Sequence, residues 1–164
     1  EDLSFSKNWI NAICNSDSIS TEKLFKLKDI KKRIDVLTAL KENNRFDIFK
    51  NIVSRISKLA NTGTIGNNVF ISKGVINSKL FEKDSEIKFF ECINKLEDLF
   101  SSNQMEYNLI SEIIDRNLDV LSNIFDNDQG VLIMTEDQSI RINRLNLLAI
   151  LRNYSLLLAD FTLF

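Results

Sequence analysis

Residues 45–61 read Arg45-Phe46-Asp47-Ile48-Phe49-Lys50-Asn51-Ile52-Val53-Ser54-Arg55-Ile56-Ser57-Lys58-Leu59-Ala60-Asn61. At about 100° per residue, Phe49, Ile52, Val53, Ile56, Leu59 and Ala60 fall on one face of a helix, and Lys50, Asn51, Ser54, Arg55, Lys58 and Asn61 cover the rest. This is an amphipathic helix with one side for a core and one for solvent. Upstream, Leu24, Leu27, Ile30, Ile34, Leu37 and Leu40 recur at the same spacing, which predicts a second helix over about 21–41 that Asn43 and Asn44 break. Before it, Leu3, Phe5, Trp9, Ile10 and Ile13 predict a short leader helix in 1–14, and Ser16, Asp17, Ser18 and Ser20 supply capping side chains. Downstream, Gly63 and Gly66 open one long loop, about 62–77, pinned by Val69, Phe70 and Ile71.

Three more helices follow. One over about 79–101 turns Phe81, Ile87, Phe90, Ile93, Leu96, Leu99 and Phe100 inward. One over about 105–125 does so with Leu109, Ile110, Ile113, Ile114, Leu118, Leu121, Ile124 and Phe125. Asp126–Asp128, Gly130 and Val131–Met134 read as a turn and a short buried segment, and a last helix runs from about Ser139 to Leu158. The fold class is all-α: a single bundle of five to six helices, with residues 1–20 as leader or linker and 21–164 as the domain.

Composition agrees and narrows the chemistry. The chain has 164 residues, no proline and four glycines, where average usage predicts about eight prolines. That punctuation is too sparse for a sandwich or a loop-rich fold. Histidine is absent, so the commonest general base and the commonest metal ligand are missing together. Cys14 and Cys92 stand 78 positions apart, without metal spacing or a disulfide framework, which suits a reducing cytosol. Apolar runs fall short of the roughly 20 residues of a membrane span, so no membrane contact is expected. No catalytic residue, no metal ligand and no phosphate-cradling glycine loop is expected in this chain.

A net charge of −2 conceals an uneven layout. Lys23–Lys58 holds eleven Lys/Arg against four Asp/Glu, whereas Glu82–Asp137 holds four against fourteen. Either the first stretch presents a basic face to a polyanion, or basic and acidic helices pack together and neutralise. The last helix poses a related question, because Ile142, Leu145, Leu147, Leu148, Ile150 and Leu151 point all round its axis. A helix apolar on every side is buried on every side. Arg144 and Arg152 within it must therefore be paired, with Asp137, Asp160 or an acidic residue of 79–125 as partners. Arg144 reads as a core ion-pair residue, and Arg141, nearer the helix start, as a possible RNA contact.

The segment Phe125-Asp126 … Val131-Leu132-Ile133-Met134-Thr135-Glu136-Asp137 … Ile140-Arg141-Ile142-Asn143-Arg144-Leu145-Asn146-Leu147-Leu148 resembles the "FFD.VMVM.ED..LR.NRLALL" signature of the bacterial glycyl-tRNA synthetase beta subunit. Leu158-Ala159-Asp160-Phe161-Thr162-Leu163-Phe164 is similar to the "VADISLL" with which those subunits end. Upstream, Lys32–Leu40 resembles the family's "R..AL..F" helix and Val53–Leu59 its "NKRVSNI"-like run, so the likeness covers about 25–164. The family's basic "KR" pair falls on Ser54 and Arg55, and Lys58 stands where Asn is frequent. The resemblance implies an all-helical anticodon-binding domain of the DALR-like type that arginyl-tRNA synthetases also carry. It implies a C-terminal fragment of a beta subunit partnered by an alpha subunit in a heterotetramer, in the cytoplasm of a bacterium or in a plastid. The alpha subunit would hold the class II site, ATP and Mg included, so this fragment is part of a glycine–tRNA ligase without being catalytic itself.

Glycine anticodons end in two cytosines, and reading cytosine takes an acceptor for its N4 amine and donors for O2 and N3. The polar face of 45–61 offers suitable groups. Lys50 and Lys58 would hold phosphates, Asn51 and Arg55 would read a base edge, Ser54 is a further RNA-binding candidate on the same face, and Lys28, Lys31 and Lys32 would extend the field. Trp9, Phe70 and Tyr154 are the candidate stacking aromatics. The rival function is architectural: a helical interaction domain that docks the alpha subunit or other beta-subunit domains, motivated by the acidic helices and the apolar leader.

Overall fold

A computed structural model describes residue 9, residues 12 and 13, and residues 23–102, 106–126, 128 and 130–164; for 23–27 it describes the backbone only. Most of the expected leader, including Leu3, Phe5, Ile10 and the caps at 16–20, lies outside the described residues, as do the side chains of Leu24 and Leu27. The described part is all-α, a single domain of six helices with no strand among the described residues: α1 (Lys23–Glu42), α2 (Phe46–Ala60), α3 (Asp84–Ser101), α4 (Tyr107–Arg116), α5 (Leu118–Asn123) and α6 (Gln138–Leu156). Two 3₁₀ turns, Ser78–Leu80 and Phe161–Leu163, complete it.

Asn43 and Asn44 stop α1 as the sequence foretold, by an identifiable geometry. Asn44 takes the left-handed conformation (φ 57°), the Arg45 N–H donates to the Leu40 carbonyl at 2.8 Å, and the Asn43 amide donates to Ala39 O at 3.0 Å. This is a Schellman-type cap, and it turns the chain directly into α2. Along α2, Phe49, Val53, Ile56 and Ala60 are fully buried, with Phe49 against Phe161 at 5.1 Å between ring centres. The far end of the chain is therefore packed on α2, and Asp160 caps the closing turn by accepting from the Thr162 N–H at 3.0 Å. Ala12 and Ile13 are buried too, and the Ala12 carbonyl accepts from the Asp160 N–H at 2.9 Å.

Three expectations need correction. The helix read as 79–101 begins at Asp84, and its buried stripe is Phe89, Cys92, Ile93 and Leu96, with Ile87 exposed rather than inward. The cause is Glu86, a carboxylate in a core position of the first turn, which displaces the apolar periodicity. The helix read as 105–125 is broken at Asn117 (φ −111°, ψ 11°), whose side-chain amide donates to Ile113 O at 2.6 Å and ends α4. In the segment 131–134 only Ile133 is buried; Leu132 and Met134 are 71% and 51% exposed. Leu132 contributes its carbonyl to the interior instead of its side chain.

α6 is buried continuously from Asn143 to Ser155, as its all-round apolar pattern required. Its polar residues do a second job. Asn143 exchanges two hydrogen bonds with the backbone of Asn77 (2.7 and 3.0 Å), and Asn146 donates to Val75 O at 2.9 Å. Asn153 donates to Gly66 O and Val69 O at 2.9 and 2.7 Å, Arg152 to Ile65 O at 2.8 Å, and Tyr154 to Phe70 O at 2.9 Å. The long loop has no ladder of its own, so side chains of α6 satisfy its carbonyls. Arg144 is paired as expected, with Glu86 at 2.9 Å and Glu82 at 2.6 Å. Burial pulls the pKa of its guanidinium down, and the hydrogen bonds it donates to both carboxylates, with their charge, more than reverse this. Arg152 departs from the expectation of a carboxylate partner: it donates to Asn61 Oδ1, Asn153 Oδ1 and Ile65 O, and burial lowers its pKa.

Burial also pushes the Cys92 thiol up to about 12. Between pH 9 and 12 the folded state therefore holds a proton that the unfolded state releases, so stability falls as pH rises through that window. At pH 8 Cys92 is expected to resist iodoacetamide for as long as the domain stays folded, and to react at the rate of global unfolding. Peptide mapping of the alkylated product checks this.

Candidate nucleic-acid interface

The amphipathic pattern that buries one side of α2 leaves the other facing out. Lys50, Ser54, Lys58, Asn51 and Arg55 fan over roughly 140° of that outer side. Asn51, Arg55 and Lys58 are exposed, and Ser54 is half-buried. Lys50 is partly engaged: its Nζ lies 3.3 Å from Asp47 Oδ1 and 6.0 Å from the centre of the Phe46 ring. An exposed pair of this kind is weak and does not cancel the lysine. Arg55 lies over the ring of Phe125, its Cζ 4.3 Å from the ring centre.

Arg141 stands apart from this face. It is half-buried in the first turn of α6, and among the described residues no hydrogen bond, ion pair or ring contact joins it to α2. The structure therefore brings five of the six candidate residues onto one helix and leaves the sixth on another.

Both readings of the charge layout keep support: α1 packs against the acidic α4 and α2 against α5, while cations on the outer sides of α1 and α2 stay exposed. Among the described ion pairs, the one that crosses from the basic stretch to the acidic one is Arg45–Asp115 at 2.9 Å. Arg33 pairs within α1, with Asp29 at 2.6 Å, and lies 5.1 Å from the centre of the Tyr107 ring, while the Tyr107 hydroxyl donates to Asp29. Lys28, Lys31, Lys32 and Lys58 are exposed, and none of the described ion pairs uses them.

The three aromatics considered as stackers are committed elsewhere. Trp9 stacks on Phe46 at 5.3 Å and meets Phe164 edge-on at 6.1 Å. Phe70 stacks on Phe100 at 5.2 Å, and Tyr154 is fully buried against both. Two aromatics lie beneath exposed cations: Trp9 under Lys41, whose Nζ is 5.6 Å from the ring centre, and Phe125 under Arg55, 70 positions away in sequence with no local spacing to link the two. Among the described residues no group of three or more His, Cys, Asp and Glu is arranged to hold a metal, and no helix is long and apolar enough to cross a membrane.

No family model matches the chain. Full-length relatives do. The chain is 32% identical over 165 residues to a protein of Gloeothece citriformis, a match that takes in 98% of this chain and 23% of that protein. Matches to proteins of Acaryochloris marina (32% over 155 residues; 93% and 22%) and Synechocystis sp. (30% over 137 residues; 82% and 19%) are of the same kind. The helical domain thus belongs with the subunits of tRNA ligases. All three relatives are glycine–tRNA ligase beta subunits, and the chain belongs to that family. It spans about a quarter of their length and corresponds to their C-terminal part.

Proposed function

We infer that this chain is the anticodon-recognising part of a glycine–tRNA ligase and that the outer face of α2 is where the tRNA loop lies. In this reading residues 21–164 form the recognition domain, and Trp9, Ala12 and Ile13 anchor the leader to it. Amino-acid activation, with ATP and Mg, belongs to a separate alpha subunit in the cytoplasm or in a plastid. The observation that carries the reading is the set of exposed cations on α1 and α2 that acidic helices leave unneutralised, in a chain otherwise net negative. Lys58 and Lys50 suit phosphates, Asn51 and Arg55 suit cytosine edges, and Ser54 sits between them; Arg141 would serve at most a separate phosphate.

Binding to a glycine tRNA transcript is expected to weaken when its last two anticodon bases are changed from cytosine, and to weaken by the same factor at every salt concentration tested. Reversing charge at Arg55 and Lys58 together is expected to remove the phosphate contact of Lys58 and the base contact of Arg55, weakening binding and flattening the salt dependence by roughly 1 in log–log slope. Filter binding across a salt series checks both. Unchanged binding after charge reversal would rule out this face. The architectural reading keeps one specific support, the exposure of Leu132, Met134 and Ile142 beside the start of α6. Loss of alpha-subunit association with tRNA binding intact, on changing those three to polar residues, would favour it.

A further inference from the structure

We propose that Arg55, carried on the Phe125 ring, forms a stacking platform for one unpaired nucleobase of the tRNA loop. This rests on the recognition reading above and goes beyond it by naming a base site rather than a charged face. An arginine meant only to attract phosphate has no need of an aromatic beneath it. Here the guanidinium carbon stands 4.3 Å from the centre of the Phe125 ring while the residue as a whole remains exposed. The ring holds the guanidinium in one place, and a planar guanidinium accepts a base on its open side.

The surroundings favour a base over a phosphate at this spot. Phe125 is followed by Asp126 and Asp128, both exposed, so the platform lies where the basic face of α2 meets an acidic turn. Asp126 is held in place by accepting from the Asp128 N–H at 2.8 Å. These carboxylates offset the pull of Arg55 on a phosphate and leave a neutral base unaffected. One helical turn to either side, Asn51 and Lys58 flank Arg55, placing an amide for the base edge and an ammonium for the backbone next to the stack.

The test is a double-mutant cycle between protein and RNA. A stem-loop with the glycine anticodon is prepared with an abasic site at each unpaired loop position in turn, and its affinity is measured for the full chain and for three variants. Arg55→Lys keeps the charge and removes the plane; Phe125→Leu removes the ring and keeps an apolar side chain; Phe125→Tyr keeps the ring. At one loop position the abasic change should cost roughly fivefold or more in affinity for the unaltered chain and for Phe125→Tyr. It should cost less than about twofold for Arg55→Lys, since the stack it removes is already gone. Phe125→Leu should lie between the two, with thermal melting showing that it is folded. An abasic cost that is the same in Arg55→Lys at every position overturns the platform and leaves the recognition reading standing. A stem-loop that does not bind the unaltered chain at all overturns both.

Discussion

Glu86→Ala is expected to lower the unfolding free energy by about 3–5 kcal/mol, the cost of breaking a buried ion pair from one side. Glu86 is fully buried in the first turn of α3. One carboxylate oxygen accepts from the backbone N–H groups of Glu82 and Lys83, at 2.8 and 3.1 Å, and so caps the helix start. The other accepts from Arg144 Nε at 2.9 Å. Arg144 is 3% exposed and spends its remaining donors on Glu82 and on the Leu132 carbonyl, at 2.6 and 3.0 Å. Truncating Glu86 would leave a buried cation leaning on a carboxylate that is itself largely exposed, and would strand two backbone donors. Urea unfolding followed by circular dichroism measures the loss. A loss below about 1 kcal/mol would mean that water or Glu82 replaces Glu86 and that the pair does not hold α3 to α6.

Asn153→Leu should cost about 2–4 kcal/mol, with an effect concentrated on one segment. The substitution keeps the branching and heavy-atom count of the side chain, so it removes polarity while adding only the extra bulk of two methyl groups. Asn153 is fully buried, and its amide nitrogen donates to Gly66 O and Val69 O while its oxygen accepts from Arg152 Nε and Nη2 at 3.1 and 3.0 Å. Leucine leaves two loop carbonyls without those partners. It also takes from Arg152 the one oxygen that accepts two of its hydrogen bonds, and Arg152 is a buried guanidinium whose described acceptors are all neutral groups. The amides of residues 65–72 should lose hydrogen-exchange protection well before those of α2, and a protease should cut there first. Uniform loss of protection across the domain would show instead that loop and core open as one unit.

What the sequence made legible follows from which interactions are local. α2 was readable to within a residue because its apolar and polar residues obey one helical period, and α6 because thirteen successive residues need cover. The pairing of Arg144 was readable as a necessity, since leucines surround it on every side. Its partners were legible only as one of three options, an acidic residue of 79–125; which residues these are was not, because Glu82 and Glu86 lie some 60 positions away. The same Glu86 misled the reading of α3, since it takes an inward position that an apolar residue would normally fill. Asn117 broke a helix through its own side chain, although asparagine within an apolar-periodic run gives no such warning. At the candidate interface, Lys50, Asn51, Ser54, Arg55 and Lys58 share a face because they share a helix. The approach of Phe125 to Arg55 is a product of the tertiary fold and had no sequence signal.

The anchoring of the long loop by α6 also sets a timetable. A ribosome releases residues 61–77 some eighty residues before the asparagines that hold them, so the nascent loop has to wait for the last helix. Helices α1 to α5 can gather while that slot is still empty, with Phe49, Val53 and Ile56 exposed. The step that closes the domain joins distant parts of the chain, which makes it the slow one and the one a chaperone would guard.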